Sequence, residues 1–143
     1  MPSLNHSYVC MQILRQLLAD ESILPMPELT LDIDKGVTPD ISVFSISQVK
    51  PNFLRDIVKL QEALRLAIEI LSPTQSIQEL LEKASGLVKG GVRAVWTVEP
   101  YGRTVFVTTP DGDRIFHGQT LETDGIKVDF GKVFNVIPTK AAT

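Results

Sequence analysis

The sequence of 143 residues carries 14 basic and 17 acidic side chains, for a formal net charge of −3, and 43% of its residues are hydrophobic. These proportions are typical of a globular protein, and the length predicts a single domain over residues 1–143. The acidic balance argues against a protein that coats nucleic acid non-specifically, because such binding is largely electrostatic. It does not exclude a nuclease, since bound metal ions restore positive charge locally.

The sequence also predicts where the protein resides. No segment reaches the ~18 consecutive apolar residues of a membrane helix. We expect no secretory signal, because the first residues lack a basic start followed by an apolar stretch. Cys10 is the only cysteine, which excludes an internal disulfide and is typical of a reducing cytosol. We therefore expect a cytoplasmic protein that does not bind membranes.

The first half of the chain is predicted to contain one helix and two strands. Apolar side chains at helical spacing predict a helix over residues 7–19, and the prolines that follow are expected to end that region. Alternating apolar and polar residues over 28–33 predict a half-buried strand. A short turn would join it to a second, antiparallel strand over residues 40–46. Residues 48–61 are expected to form a loop with at most a short helix.

The second half begins with the most apolar segment of the chain. Its near-continuous apolar run over residues 64–71 predicts a central strand that is covered on both faces. Ser76 and Glu79 form a capping box that begins a helix over residues 76–89. The remaining predicted elements are a strand over residues 92–98, a hairpin of residues 103–109 and 113–117, and short strands or turns over residues 118–134.

The order of these elements predicts the fold class. The strand, helix and strand between residues 64 and 98 form a crossover unit, whose two strands are expected to be parallel. Hairpins on either side of this unit add antiparallel strands. The sequence therefore predicts an α/β fold, bordering on α+β, with a mixed β-sheet flanked by helices.

Three polar residues stand out against this framework: Asp40, Glu69 and Lys83. Asp40 opens a predicted strand, and Glu69 interrupts the apolar central strand, where an unpaired carboxylate is costly. Lys83 lies on the helix that follows. Two carboxylates carried by strands suit the oxygen coordination of magnesium, and a nearby amine can stabilise negative charge on a phosphoryl group. This pattern favours a magnesium-dependent phosphodiesterase.

Each of these residues also has an ordinary structural interpretation. Asp40 follows a proline and could be a turn residue. Glu69 could form an ion pair with Arg65 or Lys83, and Lys83 could instead pair with Glu79 one turn earlier on the helix. The two histidines of the chain show no metal-ligand spacing, so they are expected at the surface.

The sequence also resembles a known family through motifs spread over most of its length. They are, in chain order, Pro39-Asp40, Glu69-Ile70-Leu71-Ser72-Pro73-Thr74, Lys83, Gly91-Val92, Trp96 and Pro100. In these motifs the chain resembles the Uma-two family of restriction-endonuclease-like proteins, part of the PD-(D/E)XK nuclease superfamily. The resemblance covers residues 28–134. It implies a restriction-endonuclease-like fold and a DNA endonuclease that hydrolyses phosphodiester bonds with magnesium, or with manganese as a substitute.

The resemblance also assigns roles by position. It implies that Asp40 and Glu69 are catalytic acids that bind the metal, with the backbone carbonyl of Ile70 as a third ligand. In the wider superfamily the catalytic lysine stands two residues after the acid, and that position is Leu71 here. The resemblance places the catalytic lysine on the helix instead, at Lys83.

Two alternatives to an active endonuclease stay open. The chain is short at its N-terminus for the family, and Leu87 stands where an aromatic residue is usual. These features favour a catalytically inactive, oligomeric protein of nuclease fold that acts as a binding or regulatory partner. A buried ion-pair network that only stabilises the fold is the other alternative. We also expect a homodimer, with Val105, Val107, Ile115 and Phe116 facing the partner.

Overall fold

The computed structural model describes residues 3–136 of the chain. Its helices are α1 (Leu4–Leu17), α2 (Ile77–Lys89) and α3 (Phe130–Val133). Its strands are β1 (Ile23–Pro27), β2 (Ile41–Ser45), β3 (Leu66–Ile70), β4 (Val95–Glu99), β5 (Thr104–Thr109), β6 (Gly112–His117), β7 (Thr120–Thr123) and β8 (Ile126–Asp129).

Strands β1 to β6 form one mixed sheet in the order β1-β2-β3-β4-β5-β6. The pair β3–β4 is parallel and is connected through α2, which confirms the predicted crossover. The other neighbours in this sheet are antiparallel. Strands β7 and β8 form a separate hairpin. The predicted mixed sheet flanked by helices is therefore confirmed.

The two faces of the sheet are covered by different elements. On one face α1 packs with Val9, Ile13 and Leu17 into a core that includes Trp96 of β4 and Phe130 of α3. This face also receives the β7–β8 hairpin, whose buried residues belong to the same core. On the other face, α2 packs into a second core that contains residues of β2, β3 and β4. Strands β3 and β4 are thus buried on both sides, as their apolar sequences predict.

The prediction of a strand over residues 28–33 was wrong. The first strand of the sheet is β1, which contains two prolines and pairs with β2. Proline cannot donate a backbone hydrogen bond, but β1 lies at the sheet edge, where that loss is tolerated. Of residues 28–33, only Leu31 forms isolated bridges, to Val37 and Leu60. The alternating side chains Leu29, Leu31 and Ile33 instead pack against the core on the α2 face.

The other predicted elements are found with shifted ends. Helix α1 begins at Leu4 rather than at residue 7, because the side chain of Ser3 accepts a hydrogen bond from the backbone N–H of His6 and caps the helix. Strand β4 begins at Val95, and the segment before it is irregular although Val92 is buried. No helix occurs within residues 48–61. The tail forms β7, β8 and α3.

Two residues of the predicted dimer interface lie inside the chain. Val105 and Val107 of β5 are buried in the core on the α1 face. They therefore do not face a partner, and that part of the prediction was wrong. Ile115 of β6 remains largely exposed, whereas Phe116 is partly buried against the core. Across residues 3–136, no helix combines the length and the apolar character needed to cross a bilayer.

The docking of α1 on the sheet can be tested with two substitutions on one helix. Ile13 is fully buried, whereas Met11 is on the exposed side. We expect Ile13→Ala to lower the free energy of unfolding by about 2–5 kcal/mol, because it leaves a cavity between helix and sheet. Met11→Ala should change it by less than about 0.5 kcal/mol. Urea denaturation followed by circular dichroism measures both, and equal effects would contradict the packing described.

Candidate functional site

The register of two strands brings Asp40 next to Glu69. Strands β2 and β3 are antiparallel with Ile41 opposite Ile68, so the residue before β2 meets the residue near the end of β3. The backbone N–H of Asp40 donates to Glu69 Oε1 at 3.1 Å. The backbone N–H of Ile70 donates in return to Asp40 Oδ2 at 2.8 Å. Backbone donors thus hold the two acids side by side where β2 begins and β3 ends.

Helix α2 supplies the third predicted residue. Glu69 is only 4% exposed and lies in the central strand β3. Lys83 Nζ donates to Glu69 Oε2 at 3.2 Å, while the Lys83 side chain keeps 37% of its surface exposed. Glu79 contacts Ser76 at the helix start, and Arg65 pairs with Asp124. Of the partners that the sequence left open, the structure therefore pairs Glu69 with Lys83.

His6 is a member of this cluster that sequence reasoning missed. Its Nε2 lies 3.1 Å from Asp40 Oδ2, and its side chain is 12% exposed, so the expectation of a surface histidine was wrong for this residue. An ionised carboxylate only accepts, so the imidazole N–H is the donor. The contact joins residues that are 34 positions apart, which spacing rules do not detect. The one local signal is Ser3, whose cap places His6 in the first turn of α1.

The other histidine lies elsewhere. His117 ends β6, and its Nδ1 is 3.4 Å from Thr104 Oγ1 on the neighbouring strand. It makes no hydrogen bond to the cluster of His6, Asp40, Glu69 and Lys83 among the contacts that the structure describes. We call these four residues the acid cluster.

Burial and neighbouring carboxylates together shift the pKa values in and around the acid cluster. Burial raises the pKa of Glu69, and the Asp40 carboxylate raises it further, although the Lys83 ammonium and the Asp40 N–H oppose the shift. The effect extends to Cys10 on α1, whose pKa is raised to about 11 by burial and by the carboxylates of Asp40 and Glu28. One lysine does not balance these acids, so an added cation would be stabilised at the acid cluster.

Beside Glu69 lies a buried hydroxyl that has no partner. Thr97 of β4 is opposite Glu69 in the parallel pair, so both side chains point to the same face of the sheet. Thr97 is fully buried, and no hydrogen bond to its Oγ1 is formed within residues 3–136. The same is true of Ser42 and Thr108. An unpaired buried hydroxyl destabilises the fold. Packing alone therefore does not explain why this face of the sheet carries buried polar side chains.

The donor set fits magnesium in a specific way. Within residues 3–136, no group of three or more His, Cys, Asp or Glu side chains is arranged to hold a metal ion. Magnesium, however, is commonly bound by one or two carboxylates and completes its shell with water. Asp40 and Glu69 supply two carboxylates: that of Glu69 accepts from the Asp40 N–H, and that of Asp40 accepts from the Ile70 N–H. The acid cluster therefore suits a magnesium-type site rather than a cage built of protein ligands alone.

A separate cavity elsewhere in the molecule is chemically less suited to bind a metal ion. It has a volume of about 410 Å³ and lies beneath the loop between β2 and β3, where Met26, Val49, Phe53 and Ile57 line it. No member of the acid cluster reaches it. A cleft of about 170 Å³ lies along α1 beside Arg103. Volume alone therefore does not identify the site, and the convergence of charged groups does.

The raised pKa of Glu69 predicts how the metal-free protein responds to pH. A raised pKa means that the folded state favours the protonated form, so the associated stability is present at acid pH and is lost as the pH rises through the raised pKa. Glu69→Gln mimics the protonated form and keeps an acceptor for the Asp40 N–H. At pH 8 with a chelator, we expect the free energy of unfolding of this variant to exceed that of the wild type by about 1 kcal/mol.

The difference in stability between Glu69→Gln and wild type should shrink as the pH falls, because Glu69 itself becomes protonated. Urea denaturation at several pH values measures it. The exposed Glu122 of β7 provides a matched control, since Glu122→Gln should leave the pH profile of the wild type unchanged. A wild-type protein as stable as Glu69→Gln at pH 8 would contradict the predicted cost of the buried charge.

Two threonines provide a second test, with opposite expected signs. Thr97→Val removes an unpaired buried hydroxyl at constant shape, so it should raise the free energy of unfolding by about 1 kcal/mol. Thr104 is also buried, but its Oγ1 donates to the carbonyl of Gly102 at 3.0 Å. Thr104→Val should therefore lower stability by about 1 kcal/mol. Losses of equal size in both variants would show that Thr97 has a bonding partner.

Comparison with known proteins places the chain in a family. The model of the Uma2 family, described as "Putative restriction endonuclease", matches residues 1–132. The crystal structure of a "putative nuclease belonging to DUF820" from Anabaena variabilis superposes with a TM-score of 0.76 at 24% identity, covering 94% of this chain and 82% of that one. This likeness shows a shared fold.

Other comparisons add little. The cryo-electron-microscopy structure of a DrdV–DNA complex gives a TM-score of 0.48 at 14% identity, over 94% of this chain and 11% of that one, which is too weak to bear on fold or function. No curated protein matches the chain. Because the family model spans nearly the whole sequence, this chain belongs to the Uma2 family.

Proposed function

We propose that this chain is a metal-dependent DNA endonuclease that hydrolyses phosphodiester bonds at the acid cluster. One observation carries the proposal: the backbone N–H of Asp40 donates to Glu69 Oε1 at 3.1 Å, and the Lys83 ammonium lies 3.2 Å from Glu69 Oε2. Membership of a family described as "Putative restriction endonuclease" supports it, as does a neighbour described as a "putative nuclease".

The metal ligands in this proposal are the carboxylates of Asp40 and Glu69, together with the backbone carbonyl of Ile70. Magnesium is the proposed ion, with manganese as a substitute, because hard oxygen donors suit both. When bound there, the ion would supply Lewis-acid stabilisation for the negative charge that develops during phosphodiester hydrolysis. The unbalanced charge of the cluster supports a cation at this position.

The residues of the chain itself have separable tasks. The Ile70 N–H and the His6 imidazole both donate to Asp40 Oδ2, so they fix the direction of that carboxylate. Lys83 is partly exposed, so its ammonium can contact a phosphate oxygen while staying close to Glu69. An ammonium held there stabilises charge on the phosphoryl group without prior rearrangement. We propose Asp40, Glu69 and Lys83 as the catalytic residues and His6 as a positioning residue.

DNA is the proposed substrate. Because the whole chain carries a net charge of −3, DNA must be bound by positive charge at the site itself rather than by the protein surface as a whole. The expected compartment is the cytoplasm, in agreement with the single cysteine. The homodimer predicted from the strand-rich C-terminal third stays a prediction. The alternative function, an inactive relative that acts as a binding partner, differs from an endonuclease only in the absence of turnover.

Cleavage of supercoiled, linear and single-stranded DNA with magnesium, manganese or a chelator tests the proposal. We expect cleavage with either metal and none with the chelator. Asp40→Asn and Lys83→Met should each reduce the rate by roughly a hundredfold or more, the usual effect of removing a charge that acts in the transition state. Glu82→Gln is the matched control, because Glu82 lies next to Lys83 on α2 but is exposed and accepts a hydrogen bond from Gln78 on the same helix.

Isothermal titration with manganese separates the metal site from catalysis. Asp40→Asn should abolish binding, whereas Lys83→Met should preserve it, because a lysine is not a metal ligand at neutral pH. Binding without cleavage of any DNA form would favour the inactive relative. If the wild type neither binds metal nor cleaves DNA, the endonuclease proposal fails.

A further inference from the structure

The two edges of the main sheet differ in their ability to pair with another strand. Strand β1 carries Pro25 and Pro27, which lack a backbone N–H, so this edge is protected against pairing. Strand β6 at the other edge contains no proline, and five of its six residues are exposed. No described strand pairs with its outer side. A straight edge of this kind is a template for strand addition.

The backbone groups that face this free edge can be identified. His117 directs its N–H away from β5, toward Gln119 Oε1 at 3.5 Å. In an antiparallel ladder, inward and outward groups alternate along the strand. The N–H and C=O groups of Asp113 and Ile115 therefore also point outward. A partner strand must pair with these three residues.

The sequence of β6 is complementary to itself in one antiparallel register. When Ile115 lies opposite Ile115 of a second copy, Asp113 lies opposite His117, and Arg114 lies opposite Phe116. Ile115 is 59% exposed in the single chain and would be covered by its counterpart. Within a single chain, Arg114 already forms a cation–π contact with Phe116, with Cζ 5.2 Å from the ring centroid. The same two side chains can therefore pair across the interface.

Shifted registers are less favourable. Moving the partner by two residues keeps the outward groups paired, but it places Ile115 opposite Asp113 or His117. Those pairs set an apolar side chain against a polar one and lose the match between Arg114 and Phe116. A twofold axis permits these shifted registers too, centred on Arg114 or Phe116, so the match of side chains is what favours the register about Ile115.

We propose that this chain forms a homodimer in which β6 pairs with β6 of a second copy, in antiparallel register about Ile115. The pairing joins the two six-stranded sheets into one continuous sheet. Because the paired strands run in opposite directions, the acid cluster of one copy lies at one end of the strands of the joined sheet, and that of the other copy lies at the opposite end. The interface stands on the geometry of β6 and does not depend on nuclease activity.

Disulfide trapping tests the register directly, in a Cys10→Ala background. Ile115→Cys places the two new cysteines opposite each other, within the Cα separation of about 4.4–6.8 Å that a disulfide needs. We expect a covalent dimer under mild oxidation. Asp113→Cys is the matched control on the same edge and face. Its two copies would be four residues out of register, about 13 Å apart along the strands, so it should not cross-link.

Light scattering on the protein with native cysteine provides the second measurement. We expect a mass near twice 15.8 kDa for the wild type and near 15.8 kDa for Ile115→Lys. Val58→Lys, at an exposed apolar position in the loop between β2 and β3, should leave the dimer intact. A monomeric wild type at all concentrations, equal cross-linking of both cysteine variants, or dissociation by Val58→Lys alone would each overturn the proposed interface.

Discussion

The burial of one carboxylate in the central strand constrains much of the surrounding structure. Glu69 lies in β3 between two layers of apolar side chains, where an unpaired charge would be strongly destabilising. Two donors reduce that cost: the N–H of Asp40 and the ammonium of Lys83. The first fixes where β2 must begin relative to β3. The second joins α2 to β3, in addition to the buried apolar face of the helix, so one side chain contacts both the neighbouring strand and the helix.

The structure compensates the buried charge of Glu69 only in part. The pKa of Glu69 stays raised although Lys83 and Asp40 donate to it, because burial and the Asp40 carboxylate outweigh them. The pKa of Cys10 on α1 is also raised, by burial and to a lesser extent by the carboxylates of Asp40 and Glu28. Groups perturbed in this way concentrate at functional sites, where stability is given up for chemistry. A bound cation is the simplest means of restoring balance.

The sequence predicted the members of the acid cluster more accurately than it predicted the first strands of the sheet. Asp40, Glu69 and Lys83 could be selected because an acid in an apolar strand and an amine on an amphipathic helix conflict with local patterning. The structure places these three together, and their catalytic roles stay a proposal. His6 could not be found in this way, since its contact with Asp40 depends on how α1 docks across the sheet.

Two errors in the predicted strands have physical causes. The prolines of β1 were interpreted as the end of a region, whereas an edge strand tolerates a missing N–H. The apolar side chains that alternate over residues 28–33 pack on the α2 face, although the backbone there does not pair as a strand. The alternating pattern in the sequence does not distinguish these two cases. Val105 and Val107 were assigned to a partner because the sequence alone does not show which side chains of the same chain cover a strand. In the structure they are buried in the core on the α1 face.

The central claim is that Asp40 and Glu69 form a metal site. Anomalous diffraction from crystals soaked in manganese tests it most directly, because it locates the ion and its ligands without relying on activity. The account predicts one peak at the acid cluster, within about 2.1–2.3 Å of an oxygen of each carboxylate. Crystals that take up manganese elsewhere, or not at all, while Glu69 keeps its contact with Lys83, would contradict it.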